Sequence, residues 1–345
     1  MSILEKALSH SKKIGIDECE IVTVEKKTTT VRITDSEIAE IKQNFDKKYG
    51  IRIIHQKKIV SIQTTDNQNI EKTIDSIFET ISNFKPREFW KGLPYKISAR
   101  KIEGTFDEKL EEISGKNSMD IAQSMINSAD NEKINTITGS LNIVSEDFQL
   151  RNSQGLEFND KATYVSGIIN AESEQGNIPV SGIGHASGRT LSNFSKEQIG
   201  EDAKIMCIES INPQKIESDT YPIIFEPYSV GELLAFVVAS NFNFKTFTEK
   251  KSCFSNKLKE EIGTKEINLI DDPYAPEGIG TKSIDDEGVE TQKKYLVEKG
   301  VLKNTFSNLF DSYKEGQQST GNASRPGSPM GRSSEPIPVS SPHNL

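Results

Sequence analysis

Hydrophobic and polar residues alternate in several short stretches near the start of the chain, between two segments with helical spacing. β-Branched side chains are frequent in the alternating stretches, as strands prefer. These stretches are residues 20–24, 29–33, 50–54 and 58–62. The last two flank His55-Gln56-Lys57 and predict a hairpin. Helical spacing over residues 3–14, opened by a Ser2–Glu5 capping box, and over residues 70–81 predicts the flanking helices.

A second helix-and-sheet unit is predicted after an irregular stretch at residues 85–117. Its predicted helices are a short one within 106–113, one near 118–129, and one opened by a capping box at Ser195. Its predicted strands lie near 134–144, 148–151 and 162–171, with a turn at 152–155. The glycine-rich residues 181–188 predict a loop.

A third region is predicted from about residue 217 onward. It starts with a strand at 221–225, followed by a helix with a capping box from Ser229 to Glu232. The apolar residues of that helix have the spacing of a buried stripe. They are Val230, Leu233, Leu234, Val237 and Val238. The Ser/Pro/Gly-rich last 30 residues, taken alone, are typical of a flexible tail.

These patterns predict an α+β fold, in which two N-terminal helix-and-sheet units precede a β-rich C-terminal domain. The predicted divisions are residues 1–105, 106–216 and 217–345. The chain has 345 residues, which is enough for two or three domains.

Charge and cysteine content exclude several functions. Asp and Glu outnumber Lys and Arg by 51 to 42, giving a net charge of −9 that argues against nucleic-acid binding. The three cysteines are far apart and predict free thiols. No secretory signal or apolar stretch of about 20 residues is present, so we expect a soluble, cytoplasmic protein without membrane contact.

Histidines give no local metal motif. His10, His55, His185 and His343 are isolated, and none belongs to HExxH. We expect His10 and His55 at the surface or in loops. His185 lies in the glycine-rich stretch, where a phosphate cradle is the alternative to a plain loop; the loop is the favoured interpretation.

One acidic cluster could carry chemistry. Asp285, Asp286 and Glu287 precede Gly288 and could ligate a hard cation, although the EF-hand spacing is absent. A charged turn is the simpler interpretation. Glu232 is explained by its place in the predicted capping box. The residues alone therefore assign no catalytic group.

The order and spacing of several motifs resemble the TldD/PmbA family, also called modulator of DNA gyrase or peptidase U62. The best match is Gly280 to Val289, followed by Gly300-Val301-Leu302-Lys303-Asn304. The other matching stretches are residues 49–54, 152–155, 319–323 and 341–345. Family members continue beyond the last of these, which implies that the sequence is truncated and its C-terminal β domain incomplete.

Within the family, the chain resembles the PmbA (TldE) subunit. The HExxxH positions of the TldD type correspond to Ala235-Phe236-Val237-Val238-Ala239-Ser240, so Ala235 and Ser240 replace the histidines and Phe236 the glutamate. The resemblance implies a heterodimer with a TldD-like HExxxH subunit that holds the zinc, while this chain binds no metal. It also implies proteolysis of small or unfolded peptides, with Asp285, Asp286, Glu287 and Gly288 as a motif near the cavity or substrate.

Two other functions remain open at this point. One is a stand-alone hydrolase with a site around Asp285, Asp286 and Glu287. The other is a regulatory or binding protein, as the gyrase label of the family hints.

Overall fold

A six-stranded antiparallel sheet forms the framework of the computed structural model, which describes residues 2–96 and 100–345. Its strands are β1 (Glu18–Thr34), β2 (Glu37–His55), β3 (Lys58–Thr64), β4 (Thr136–Asn152), β5 (Glu157–Ser173) and β6 (Val180–Gly188). Their spatial order is β3-β2-β1-β4-β5-β6. The two predicted N-terminal units therefore share one sheet, because β1 pairs with β4.

Helices cover one face of this sheet. They are α1 (Ile3–Lys13), α2 (Ile70–Thr80), α3 (Glu108–Glu111), α4 (Gly115–Ala129) and α5 (Lys196–Glu209), with single 3₁₀ turns at Ile81–Asn83 and Leu191–Asn193. Helices α1 and α2 pack on β1 to β3, and α4 and α5 pack on β1, β4 and β5. The Ser2–Glu5 capping box is confirmed, since each residue accepts the other's backbone N–H. Isoleucine, valine and leucine side chains at alternate strand positions supply the inner surface.

The predicted helices and the 55–57 hairpin are confirmed, but the strands are longer than the pattern indicated. Residues 20–24 and 29–33 belong to the single strand β1, and residues 136–144 of the predicted 134–144 strand belong, with 148–151, to β4. Both strands are central and hydrogen-bond to neighbours on both sides. That pairing holds the polar residues between the alternating stretches in extended conformation. The predicted irregular stretch 85–117 includes residues 97–99, which lie outside the described residues.

Two predictions next to this sheet are wrong. Residues 181–188 form the edge strand β6 rather than a loop. Gly182 and Gly184 allow α5 to lie directly on the strand, because a Cβ at either position would overlap backbone carbonyl groups of Ala203 or Ile199. The glycines thus serve close packing. Ser195 does precede α5, but its side chain makes no capping hydrogen bond, so the predicted capping box is absent.

The C-terminal region has short regular elements joined by long irregular segments. Its strands are β7 (Leu269–Asp271), β8 (Lys294–Glu298), β9 (Val301–Leu302), β10 (Ala323–Ser324) and β11 (Val339–Ser340). Its helices are α6 (Pro227–Glu232), α7 (Phe244–Thr248) and α8 (Leu309–Lys314). A π-helical turn at Leu233–Val238 and a 3₁₀ turn at Ala239–Phe242 continue α6. The α+β class is confirmed.

The predicted features at the start and end of this region need correction. Residues 221–225 form no strand, because no described segment pairs with them. Ser229 lies inside α6, and Glu226 is the N-cap, so the predicted capping box is wrong. The last 30 residues are not a free tail. They pack on the sheet face opposite the helices, and Asn322, Arg325 and Arg332 among them are buried. No helix in the described residues is long and apolar enough to cross a membrane.

Candidate functional site

The acidic residues 285–287 form a tight turn, as predicted, but the turn is buried, which the sequence did not predict. The Asp285 amide donates to the Val289 carbonyl at 2.8 Å, and Gly288 has a φ of 90°. A side chain at Gly288 would also overlap that of Leu156. The turn is therefore closed by local hydrogen bonds and requires glycine at its last position.

Glu287 belongs to a chain of ion pairs that reaches the sheet. Arg52 of β2 donates to Glu287 at 2.7 Å and to Glu20 of β1 at 3.0 Å. Arg325 donates to the other oxygen of Glu20 at 2.5 Å. The remaining Glu287 oxygen accepts the Leu309 amide at 2.8 Å. All four charged side chains are buried, so their attraction is little screened by water.

Asp286 is held by cations on the opposite side of the turn. One carboxylate oxygen accepts from Lys282 at 3.0 Å and from Arg332 at 3.1 Å, and the other accepts the Arg325 amide at 2.7 Å. Burial alone would raise its pKa, but Lys282 and Arg332 more than offset burial and lower the pKa of Asp286 to about 2. Asp286 is therefore an ionised structural anchor.

Asp285 differs from its neighbours because no described cation pairs with it. It accepts three backbone N–H groups, from Glu287, Val289 and Ala323, at 2.9 to 3.0 Å. Burial, assisted by the charge of Glu287, raises the pKa of Asp285 to about 7, although these hydrogen bonds oppose the rise. Asp285 is thus the member of the turn whose proton is exchanged near neutral pH.

The turn is poorly suited to bind a hard cation. The oxygens of Asp286 and Glu287 already accept from arginine, lysine or backbone groups. Within residues 2–96 and 100–345, no three or more His, Cys, Asp or Glu side chains are grouped so as to hold a metal ion. The partners Glu20, Arg52, Arg325 and Arg332 were not predicted. In the sequence, each of these four residues is only an isolated charge within a strand pattern or within the polar C-terminal stretch.

The residues at the HExxxH positions lie on the helix that α6 begins. The Ala239 amide donates to the Leu234 carbonyl five residues earlier, which makes the turn π-helical. Residues i and i+5 are about 140° apart on an α-helix, whereas i→i+5 hydrogen bonding brings them to one side. Ala235 and Phe236 lie in this π-helical turn, whereas Ser240 lies in the 3₁₀ turn that follows. Ala235 and Phe236 have no ligating atom, and none of the three side chains offers the imidazole or carboxylate of a peptidase zinc site.

The apolar side chains of this helix are exposed, so the predicted buried stripe is wrong. Val230, Leu233 and Val237 are exposed, and Leu234 and Val238 are half-buried. Phe236 is 81% exposed. The preceding stretch is also exposed, and Ile224 reaches 97%. The reason is that no described segment packs over this side.

The four histidines are separated on α1, β2, β6 and the C-terminal segment. His10 and His55 lie near Asp75 and Asp17, at 2.6 and 3.4 Å. His185 is exposed on β6, with its ring 5.6 Å from that of Tyr228. Burial lowers the pKa of His343 to about 4. His343 forms no hydrogen bond with another histidine.

The cysteines are free thiols, as predicted. Cys19 and Cys207 are buried, and Cys253 is exposed. Burial raises the pKa of Cys19 to about 12, so this thiol is not a nucleophile near neutral pH.

Two family models match the chain. Residues 218–345 match the model described as the PmbA/TldA metallopeptidase C-terminal domain. Residues 19–83 match the model of PmbA/TldA metallopeptidase domain 1.

Relatives are similar over most of the chain. The uncharacterized protein MJ0231 of Methanocaldococcus jannaschii is 25% identical over 323 residues, covering 93% of this chain and 74% of its own. The metalloprotease PmbA of Escherichia coli O157:H7 is 23% identical over 338 residues, covering 93% and 73%. The crystal structure of TldE from Thermococcus kodakarensis has a TM-score of 0.88 at 22% identity, covering 99% of this chain and 76% of that one. This last similarity shows a shared fold.

Proposed function

We propose, from the premise that this chain belongs to the PmbA/TldD metallopeptidase family, that it is the subunit that binds no metal in a two-subunit metallopeptidase. The partner in this proposal is a TldD-like chain with an HExxxH motif and a zinc ion. The substrates are small or unfolded peptides, and the pair works as a heterodimer in the cytoplasm.

The observation that carries this proposal is the helical run from Pro227 to Phe242, which has Ala235, Phe236 and Ser240 at the motif positions. Ala235 and Phe236 lie in its π-helical turn and Ser240 lies in the following 3₁₀ turn, and none of the three offers the imidazole or carboxylate of a peptidase zinc site. A chain that keeps such a backbone without its ligands is best explained as a subunit that contributes shape. On the partner, the zinc would supply a water activated for attack on a peptide carbonyl, with a glutamate as base.

The open part of the sheet supports a role in forming a substrate chamber. Next to the C-terminal segment, whose Ser328 and Pro329 line part of it, a hollow of about 390 Å³ is lined mainly by polar residues of β1, β2 and β4. Thr30 and Asn142 hydrogen-bond to each other there at 2.8 Å, and Arg32 and Lys42 balance Glu40 and Asp46. A neutral, polar wall of this kind accepts varied peptides without selecting a charge.

The first test is a pull-down of the tagged chain from the lysate of its own host, with mass spectrometry of the recovered proteins. We expect a protein with HExxxH near one-to-one. A second tagged acidic protein of similar size is the control for charge-driven capture. Recovery of no HExxxH protein in repeated experiments would count against the proposal.

Zinc content and activity provide the second test. We expect the isolated chain to contain far less than one zinc per molecule, and the purified pair to contain about one. The pair should cleave an unfolded protein, and replacing the partner's motif glutamate with glutamine should abolish cleavage. Stoichiometric zinc on the isolated chain would instead favour a stand-alone hydrolase.

A further inference from the structure

A cavity of about 350 Å³ lies between the start of β5 and two segments that cross it. Residues 100–102 and 105–106 form one wall, residues 158–161 the second, and residues 281–283 the third. Its volume is within the lower range of small-molecule sites. Its walls carry more basic than acidic side chains, unlike the chain as a whole.

Positive charge predominates at the walls. Arg100, Lys101, Lys161 and Lys282 line the cavity, and Asp160 is the carboxylate among the lining residues. The Asp160 carboxylate is already paired, since it accepts a hydrogen bond from Arg332 at 2.7 Å. The cavity therefore has an excess of positive charge in a protein with a net charge of −9.

The other ion pairs at the walls only partly offset this excess. Lys161 lies 3.2 Å from Glu111 in an exposed pair, which is weak in water. Lys282 shares Asp286 with Arg332. Arg100 and Lys101 form no ion pair with a described carboxylate, and the guanidinium of Arg100 lies 5.0 Å from the ring centre of Tyr274.

A buried arginine behind the cavity adds to its positive potential. Arg189 donates to the carbonyl of the lining residue Thr105 and to that of Ile279, each at 2.9 Å. Its guanidinium lies 4.2 Å from the ring centre of Tyr164, and its Nε has no hydrogen-bond partner among the described residues. No described carboxylate forms an ion pair with Arg189. Glu146 and Asp160 act on its charge without forming an ion pair and only partly offset its burial, so a further anion nearby is favoured.

The walls also have an apolar part. Phe106, Phe158 and Ile102 line the cavity beside the cations. Lys161 lies 5.4 Å from the ring centre of Phe106, so charge and apolar surface are adjacent. A ligand that fits both has an anionic group attached to a small apolar body.

We propose that this cavity binds a carboxylate with a small apolar body, and that the ligand is the C-terminal residue of a peptide. The cations contact the α-carboxylate, and the phenylalanine rings contact the last side chain. The choice of a peptide, rather than another carboxylate, rests on the proposed peptidase function. The positive charge and the cavity themselves do not depend on it.

The test is a calorimetric titration of the isolated 345-residue chain with N-acetyl-Ala-Leu bearing a free carboxylate. The same dipeptide with a C-terminal amide is the matched probe, and inorganic phosphate is the competing anion. We expect the acid to bind at least tenfold more tightly than the amide and more tightly than phosphate. Equal binding of acid and amide, or no binding at millimolar concentration, overturns the proposal. Tighter binding of phosphate assigns the cavity to phosphate compounds and also overturns it.

Variants locate the binding site. The double substitution Arg100→Gln/Lys101→Gln should weaken binding of the acid at least tenfold without changing the melting temperature, because both residues are exposed. The control Lys12→Gln/Lys13→Gln removes two charges from exposed positions of α1 and should change affinity less than twofold. Equal losses in both variants would show non-specific attraction and contradict the site. The titration needs neither partner nor zinc, so its failure is distinguishable from failure of the pull-down.

Discussion

Arg52 illustrates how single residues hold the C-terminal segment on the sheet. Its guanidinium lies between the carboxylates of Glu20 and Glu287, all three being buried. Arg52→Met would leave the Glu20 and Glu287 carboxylates buried away from water, each with one cation fewer. We expect a loss of about 3–5 kcal/mol in the free energy of unfolding. Urea denaturation followed by the fluorescence of Trp90, the single tryptophan, measures it.

Lys47→Met is the matched control on the same strand. Lys47 pairs with Glu25 at 2.6 Å, but both side chains are exposed. An exposed pair contributes less than about 1 kcal/mol. Equal effects of the two substitutions would contradict the structural role given to Arg52.

The neighbouring residues Asp285 and Asp286 give stability opposite dependences on pH. The folded pKa of Asp285 is raised from 3.8 to about 7, so its contribution is present below about 4 and is lost as the pH rises through 7. The folded pKa of Asp286 is lowered to about 2, so its contribution is present above about 4 and is lost as the pH falls through 2.

Asp285→Asn removes the titration of Asp285. Between pH 4 and 7, the free energy of unfolding of the wild type should fall relative to the variant by on the order of 1 kcal/mol per pH unit. Above pH 8 the difference should be constant. Urea denaturation at five pH values measures the two curves. Parallel curves between pH 4 and 7 would show that the pKa of Asp285 is not raised.

At the scale of elements, the contact between β6 and α5 depends on glycine. A Cβ at Gly184 would overlap the carbonyl of Ile199, a backbone group that cannot rotate away. Gly184→Ala should therefore lower the free energy of unfolding by about 1–3 kcal/mol, as overpacking does. Thermal denaturation measures the change.

Gly231→Ala is the control for this substitution. Gly231 lies in α6, and nothing lies within 4 Å of the position of an added Cβ. Alanine there favours the helix by up to about 1 kcal/mol. Destabilisation by both alanines would indicate a cause other than the β6–α5 contact.

The π-helical turn at Leu233–Val238 can be tested by adding histidines. Leu233→His/Val238→His places imidazoles five residues apart within this turn, where the i→i+5 hydrogen bonding brings both to one side. Zn²⁺ should bind this variant and raise its melting temperature, because a ligand of the folded state stabilises it. The control Leu233→His/Val237→His, in the same turn, has the four-residue spacing of an α-helix. A larger zinc-dependent shift in the control would contradict the π-helical geometry.

Sequence patterns predicted those elements whose structure depends on near neighbours. The α1 and α2 stripes and the 55–57 hairpin are local, and the structure confirms them. The strand β6 was missed because its glycines are explained only by contact with α5. The burial of residues 285–287 was missed because the compensating Arg52, Arg325 and Arg332 are remote in sequence. The charged cavity likewise combines three distant segments.

For the whole molecule, the apolar surface of residues 216–237 should affect solubility more than stability. Ile224→Ser/Phe236→Ser changes two side chains that are 97% and 81% exposed. We expect the free energy of unfolding of the 345-residue chain to change by less than about 1 kcal/mol in total, since substitutions at exposed positions are nearly neutral. Binding of a dye specific for apolar surface should decrease.

Phe242→Ser is the control from the same helical run. Phe242 is 1% exposed and packs against Leu296 and Phe306 in a C-terminal core cluster. Truncation of this side chain should lower the free energy of unfolding by about 3 kcal/mol or more. A comparable loss in the Ile224/Phe236 variant would show that this surface is covered.

The ion pair between Glu20 and Arg325 joins residues 305 positions apart in the chain. During synthesis at about 5–20 residues per second, Glu20, whose earlier partner is Arg52, therefore waits roughly 15 to 60 s for Arg325 to emerge. During that time the face of β1 that bears Glu20 lacks the segment around Arg325 that packs on it. A nascent chain that has completed the helix-covered face of the sheet therefore still exposes Glu20, together with the apolar Val22 and Val24, on the other face, which closes only after Arg325 has left the ribosome.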